Sequence, residues 1–403
     1  MVGSAPDFTT GSSEPVFLTC SKGCVTIYTM TFCFAPWTNV DISPAGDILP
    51  CCKFIANIDD QKYNINQYTL QQYQNSDFLH SVKQQFRKGT WPKGCEQCQI
   101  EEQNNIQSKR QLDLIRWQEH YAEYNIDSAN FITASIAFGN TCNLSCITCH
   151  PRNSSRWRQE YQTIYLKDFE NFHFYKHDFV QDFVKTAPEL IHIDIPGGEP
   201  FLSGVKEQKA LLKHYVECGQ SANISLHYTT NVTTWPDQEW WHLWQHFKEI
   251  DMQLSIDGLE QRYNYIRWPG DWMQIQPNIK KYIQQQTLPN FRLSVSHTVS
   301  AYNIYYLDEF FTWCYSTGLP TPWLGRVHNP AHMTPTVWCK YARQAIVDKL
   351  RTSQYSEVQT WAELIEHTDD SKYLPDFKRY LYEHDQYRQL NFKQVFPELA
   401  QYI

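Results

Sequence analysis

The chain has 403 residues, 42% hydrophobic and 19% charged, with 35 Lys and Arg against 43 Asp and Glu for a formal net charge of −8. That composition is globular and long enough for two or three domains, which excludes disordered, collagen-like and coiled-coil classes. The negative balance builds no general field for nucleic acid or anionic lipid, and no apolar run reaches the roughly 18 residues of a membrane span.

Residues 1–30 predict a disordered tail. Val25 to Pro36 is as apolar as the middle of a secretory signal but lacks the preceding basic cluster, so no signal is expected. A start at Met30 would remove nothing the chemistry below needs. Cys20 and Cys24 form a C-x3-C without a companion ligand nearby, and the 13 cysteines, being odd in number, exclude a fully paired disulfide framework.

Residues 31–130 predict a small domain stapled by cysteine. Two short strand-like pieces, Trp37 to Ile42 and Asp47 to Pro50, flank the turn Pro44-Ala45-Gly46, and helical stretches follow near 68–88 and 96–124. Cys33, Cys51, Cys95 and Cys98 supply four thiolates for a closed metal site, with Cys52 interchangeable with Cys51 at this level. Zinc and a 4Fe-4S cube both suit such a set.

From residue 131 short β-prone runs alternate with helical spacing. The runs are Phe131 to Phe138, Leu190 to Ile195, Ile224 to Thr230, Ile250 to Ile256, Leu293 to Val299 and a weaker Trp323 to Val327. Helices are expected near 177–187, 204–218, 236–248, 273–286 and 303–316. Strand, helix, strand at this rhythm means right-handed crossovers, a parallel sheet and an α/β partial barrel over 131–330, with function at the strand C-terminal ends. Residues 331–403 predict a C-terminal helical extension.

The first of these runs leads into Gly139-Asn140-Thr141-Cys142-Asn143-Leu144-Ser145-Cys146-Ile147-Thr148-Cys149-His150. Three thiolates spaced C-x3-C-x2-C hold three corners of an iron–sulfur cube and leave the fourth iron open to a ligand; zinc completed by His150 is the alternative. The second run ends in Gly197-Gly198-Glu199-Pro200, two glycines that admit close backbone approach and a carboxylate able to accept from an ammonium group. Thr229-Thr230-Asn231 and Ser255-Ile256-Asp257-Gly258 end the next two. Four polar strand ends in succession imply one shared mouth.

C-x3-C-x2-C after the first strand and GGEP after the second resemble the radical S-adenosylmethionine (radical SAM) enzymes over roughly 131–330. The resemblance implies that Cys142, Cys146 and Cys149 hold a 4Fe-4S cluster whose free iron chelates S-adenosylmethionine, and that cleavage gives a 5′-deoxyadenosyl radical. It implies Gly197, Gly198 and Glu199 for the methionine amino group, and Asn231, Ser255 and Asp257 for the carboxylate and ribose. Thr148 departs from the aromatic residue frequent before the third cysteine. The Cys33, Cys51, Cys95 and Cys98 set, in CFAPW, PAGDILPCC and WPKGCEQC, resembles the twitch domain, the short form of SPASM, here preceding the core. A second 4Fe-4S cluster follows from that likeness, relaying electrons or shaping the pocket. So do a peptide or protein substrate, with a small sugar, nucleotide or amino-acid metabolite as the other branch, and a reductant such as flavodoxin or ferredoxin in a cytoplasmic setting. A zinc-stabilised interaction protein is the non-enzymatic alternative.

Other residues draw blander readings. Arg152, Arg156 and Arg158 read as loop charge or an acidic-substrate contact, and Arg267 as a salt-bridge scaffold or a carboxylate partner. Cys218 and the lone Cys314 and Cys339 read as packing, the last two also as hydrogen-atom donors.

Overall fold

The computed structural model describes residues 16–19, 25–28, 31–56, 62–103, 107–128, 130–168 and 178–403, so Cys20 and Cys24 lie outside the described residues. Among the described residues ten strands follow in chain order: β1 (Val16–Thr19), β2 (Val25–Tyr28), β3 (Asn39–Ile42), β4 (Ile48–Leu49), β5 (Thr133–Ile136), β6 (His192–Ile195), β7 (Ser225–Thr230), β8 (Glu249–Ser255), β9 (Phe291–Val299) and β10 (Trp323–Arg326). Within the stretch expected to be a disordered tail, β1 and β2 pair antiparallel from Val16 opposite Tyr28 to Thr19 opposite Val25. The chain divides into two compact units. One comprises Met1–Ser43, Asp47–Ser135 and Lys176–Ile191, the other Pro44–Gly46, Ile136–Tyr175 and His192–Ile403.

In the first unit β5, β3 and β4 lie side by side, β3 and β4 antiparallel with Asp41 opposite Leu49 and Ile42 opposite Ile48. The strand predicted from Trp37 starts later, at Asn39, because Ala35–Thr38 forms one helical turn. Pro36 is preset for a first helical turn, and the Thr38 hydroxyl donates back to the Phe34 carbonyl at 3.0 Å. The predicted helix 68–88 is two helices, Leu70–Gln74 and Asp77–Arg87. Ser76 separates them, its hydroxyl oxygen accepting from the Leu79 N–H at 3.2 Å as an N-cap. Phe32, Phe34, Trp37, Phe54, Val82, Phe86, Tyr121 and Ile132 form the core, with Phe34 stacked on Tyr121 at 4.2 Å. The helix Phe179–Thr186, expected as a barrel crossover, also belongs here: its Asp182 carboxylate accepts from the Leu70 N–H at 3.0 Å.

In the second unit β6 to β10 pair in parallel in chain order, and β10 ends the sheet without closing it. This is the open, partial α/β barrel arrangement expected from the sequence. Burial alternates along β8, with Ile250, Met252 and Leu254 at 1% exposure or less, so one face is a core and the other polar. Helix Gln238–Trp244 belongs to the core side, where Trp244 meets Tyr228 of β7 at 5.3 Å between ring centroids. Burying a side chain of that size contributes on the order of 2–3 kcal/mol. On the polar face Asp251 pairs with His227 Nδ1 at 2.8 Å and accepts from the Ser294 hydroxyl at 2.8 Å. The expected C-terminal helices are present, including Lys340–Arg351, Ser356–His367 and Leu374–Arg388. The last buries Phe377, Leu381, His384 and Arg388, a stripe at helical spacing whose final two members are polar.

Candidate functional site

The second unit gathers its four polar strand ends as the rhythm implied, starting from the loop after β5. Cys142, Cys146 and Cys149 sit on it half-buried, and burial pushes the Cys142 thiol up to about 12 and the Cys146 and Cys149 thiols also upward. The loop is tied at many points. Ser145 N–H donates to the Trp268 carbonyl at 2.6 Å, Ile147 N–H to Ile266 at 2.7 Å, and Ser155 N–H to Asn140 at 2.7 Å. Two side chains donate to the sulfurs themselves: Asn231 Nδ2 stands 3.7 Å from Cys142 Sγ, and Arg267 Nη1 stands 3.8 Å from Cys146 Sγ.

The two glycines of the GGEP turn answer to the cysteine loop. A Cβ on Gly198, which has φ +55°, would stand 2.6 Å from the Thr141 carbonyl oxygen, and one on Gly197 would stand 2.8 Å from Ala137 Cβ. Gly198 N–H donates to the Asn153 carbonyl at 3.1 Å and Glu199 N–H to Thr141 at 2.8 Å. Glu199 is fully buried and turns to its own protein, accepting from the Thr230 hydroxyl at 2.8 Å and the Asn231 N–H at 2.7 Å. Burial lifts its carboxyl to about 7 despite those two donors. Val232, a β-branched residue at φ +69°, holds a strained backbone just beyond Asn231. Asp257, 1% exposed, accepts from the Thr298 N–H at 2.7 Å and pairs with Arg267 at 2.7 Å. Ser255 ends β8 half-buried, on the same face as Asp251.

The first unit carries the second cysteine set. Cys33, Cys51, Cys95 and Cys98 border one small pocket together with Phe54, Trp91 and Arg110. The exposed Cys52 stands outside that lining, so of the two adjacent cysteines only Cys51 faces the cavity. Gly94, at φ +96°, leads into Cys95 where a Cβ would strike the Ile55 carbonyl oxygen and the Phe54 ring at 2.6 Å. Burial pushes the Cys33 thiol up to about 12 and raises Cys51, Cys95 and Cys98 as well. Buried thiols that raise one another fit a group that supplies cationic charge and takes them as thiolates. Among the described residues no three His, Cys, Asp or Glu side chains converge closely enough to grip a bare metal ion.

Other candidates stand apart. His150 is exposed, its Nδ1 accepting from the Arg152 N–H at 3.1 Å. Arg158 pairs with Asp168 at 2.9 Å, and the Arg156 guanidinium lies over the Trp268 ring at 5.5 Å. Cys314 is fully buried and Cys218 is exposed at a helix end. Among the described residues no two cysteines are joined by a disulfide. The site also contains residues the sequence reading missed: Trp157 and Arg388, which bond to the cysteine loop, Glu160, which pairs with Arg388, and His384, which pairs with Glu160. The polar pair ending the buried stripe of Leu374–Arg388 was the one available signal.

The family SPASM, an iron–sulfur cluster-binding domain, matches residues 33–99, so this segment is similar to such a domain, as the twitch resemblance implies. No curated protein matches the chain. Among solved structures, anSMEcpe with bound AdoMet and Cp18Cys peptide is 14% identical at TM-score 0.40, aligned over 54% of this chain and 57% of that one. SuiB of Streptococcus suis bound to S-adenosylmethionine is 11% identical at TM-score 0.35, covering 92% and 74%. TYW1 with a lysine–pyruvate adduct bound is 14% identical at TM-score 0.31, covering 56% and 74%. The chain thus spans less than two thirds of the first of these proteins.

Proposed function

We propose that this chain is a radical S-adenosylmethionine enzyme whose amino-terminal SPASM-type domain holds a second iron–sulfur cluster. The observation that carries the reading is the fit of the GGEP turn to the C-x3-C-x2-C loop at the polar ends of a parallel sheet, a fit only glycine at 197 and 198 permits. Two buried guanidinium groups near that loop, Arg267 and Arg388, suit an anionic cluster held by Cys142, Cys146 and Cys149. Arg267 Nε and Arg388 Nη1 are buried without a hydrogen-bond partner, donors that such a group would satisfy.

The residues that would hold S-adenosylmethionine are the Gly197 and Gly198 backbone, Asn231 and Ser255. Glu199 orients Thr230 and Asn231, and Asp257 fixes Arg267 beside Cys146. When bound, cluster and S-adenosylmethionine together supply a one-electron cleavage that yields a 5′-deoxyadenosyl radical able to abstract hydrogen from carbon. The electron would come from a donor of the flavodoxin or ferredoxin class. Cys33, Cys51, Cys95 and Cys98 would leave the second cluster no open iron, which favours electron relay or pocket shaping over substrate ligation.

The substrate class we propose is a peptide or protein, on the pairing of a radical SAM core with a SPASM-type domain, an analogy of architecture. The polar sheet face with Asp194, His227, Asp251 and Ser294 offers hydrogen-bond partners for such a substrate. A cytoplasmic setting suits oxygen-labile clusters, and among the described residues no helix is long and apolar enough to cross a membrane. Anaerobic reconstitution tests the core of the proposal. Two cubes give about seven to eight iron per chain, and a reductant with S-adenosylmethionine gives 5′-deoxyadenosine that a Cys142, Cys146, Cys149 to Ala triple variant does not. Stoichiometric zinc without iron, or cleavage surviving the triple change, would overturn it.

A further inference from the structure

The helix Leu374–Arg388 ends in a buried charge cluster that the chemistry above leaves unused. Arg388 donates through Nε to Glu160 at 2.8 Å and through Nη2 to the other Glu160 oxygen at 3.1 Å. The same Nη2 donates to the Ser145 carbonyl at 2.8 Å. Glu160 is also paired with His384 Nδ1, whose Nε2 meets the Tyr165 hydroxyl at 3.0 Å. The guanidinium lies against two indoles, 4.9 Å from the Trp157 ring centroid and 5.2 Å from that of Trp268. Those indole residues hold the same short piece of backbone. Trp157 Nε1 donates to the Cys146 carbonyl at 3.1 Å, and the Trp268 carbonyl accepts from Ser145 N–H at 2.6 Å.

Side-chain exposure of Arg388 and Glu160 is 1% each. An ion pair this deeply buried is poor value for stability alone, since well-packed apolar residues usually serve as well or better. What apolar residues cannot do is grip a main-chain carbonyl beside a ligand cysteine. We propose that Arg388, set by Glu160 and His384, is a positioning residue for the radical SAM cluster, fixing the Ser145–Cys146 peptide and placing a cation beside the bound cluster. This rests on the reading that Cys142, Cys146 and Cys149 hold that cluster.

The test uses the full reconstituted chain. A Glu160→Gln/Arg388→Gln double variant removes both charges at once, so neither is stranded, and Arg388→Lys keeps the cation while losing the fork. Asp385→Asn, on the same helix and bonded to Tyr265, is the control for helix destabilisation. Cluster loss to a chelator is followed by the electron paramagnetic resonance signal that responds to S-adenosylmethionine. Expected, at a temperature where wild type, control and double variant are all folded, is loss about tenfold faster in the double variant than in wild type or the control, with no change at the second cluster. The midpoint potential of the three-cysteine cluster falls by about 59 mV, a tenfold weaker uptake of one electron. Arg388→Lys restores the potential but not the retention. Wild-type retention and potential in the double variant, or equal loss in Asp385→Asn, would overturn the inference. Failure of the underlying reading looks different: the Cys142, Cys146, Cys149 to Ala variant would then keep the wild-type iron content.

Discussion

Gly198 shows how tightly one position is specified. It combines φ +55° with a carbonyl oxygen 2.6 Å from where its Cβ would stand, whereas Gly318, at φ +82°, has nothing within 4 Å. Both substitutions to Ala place an L side chain in left-handed backbone, at a cost of about 1–2 kcal/mol. Only Gly198→Ala also displaces the cysteine loop. Urea unfolding is expected to show Gly318→Ala losing about 1 kcal/mol and Gly198→Ala at least about twice that, with the iron of the three-cysteine set lost in the second alone. The glycine pair was legible from sequence as a need for close approach, but what approaches is protein backbone, and only folding reveals that. His297 carries a second residue-scale prediction. Burial lowers its pKa from 6.5 to about 4, so the folded imidazole stays neutral while the unfolded one takes a proton. Between those pH values the unfolded state binds more protons, and stability from this residue falls as pH drops, by up to about 3 kcal/mol near pH 4. Glu199, raised to about 7, works in the opposite sense from pH 7 downward, so the effect is read as a difference between proteins. Denaturant titrations at pH 7 and 5 are expected to show a smaller acid loss in His297→Gln than in wild type; equal losses would refute the assignment.

Elements were legible where periodicity was the dominant force. β8 was expected over Ile250 to Ile256 and occupies Glu249–Ser255, because alternating Ile, Met and Leu against polar residues fixes both face and extent. Local chemistry decided the rest. Pro36 and Thr38 made a helical turn out of an expected strand start, and Ser76 cut an expected helix in two. The helices Trp157–Tyr165 and Glu260–Ile266 went unanticipated, the second being short and following Leu259 without a side-chain cap. Ser76→Ala is expected to cost about 1 kcal/mol through lost capping of Asp77–Arg87. Loss of helical signal together with a lower urea midpoint would check it, and an unchanged midpoint would show that Asn75 and the preceding helix make the break on their own.

At the scale of the molecule, each compact unit carries one complete cysteine set, Cys33, Cys51, Cys95 and Cys98 in the first and Cys142, Cys146 and Cys149 in the second. The spacing of the sets was legible; the choice of Cys51 over Cys52 was not, since neighbours in sequence part company only when one backbone faces a cavity. Separate housing predicts separate loss. Replacing Cys95 and Cys98 by Ser is expected to remove about half the iron while leaving the S-adenosylmethionine-responsive signal in place, and disappearance of that signal would show that the two sites stand or fall together. The carboxy-terminal anchor of the cysteine loop adds a matter of timing. Ser145 is bonded to Arg388, 243 residues further along the chain. At ribosomal rates of roughly 5–20 residues per second the loop exists for about 12–50 s before its holder is made. On the proposed reading, a cluster at Cys142, Cys146 and Cys149 gains this anchor only when synthesis is nearly complete, whereas Cys33, Cys51, Cys95 and Cys98 are all made within residues 33–98 and are available to a metal while translation continues.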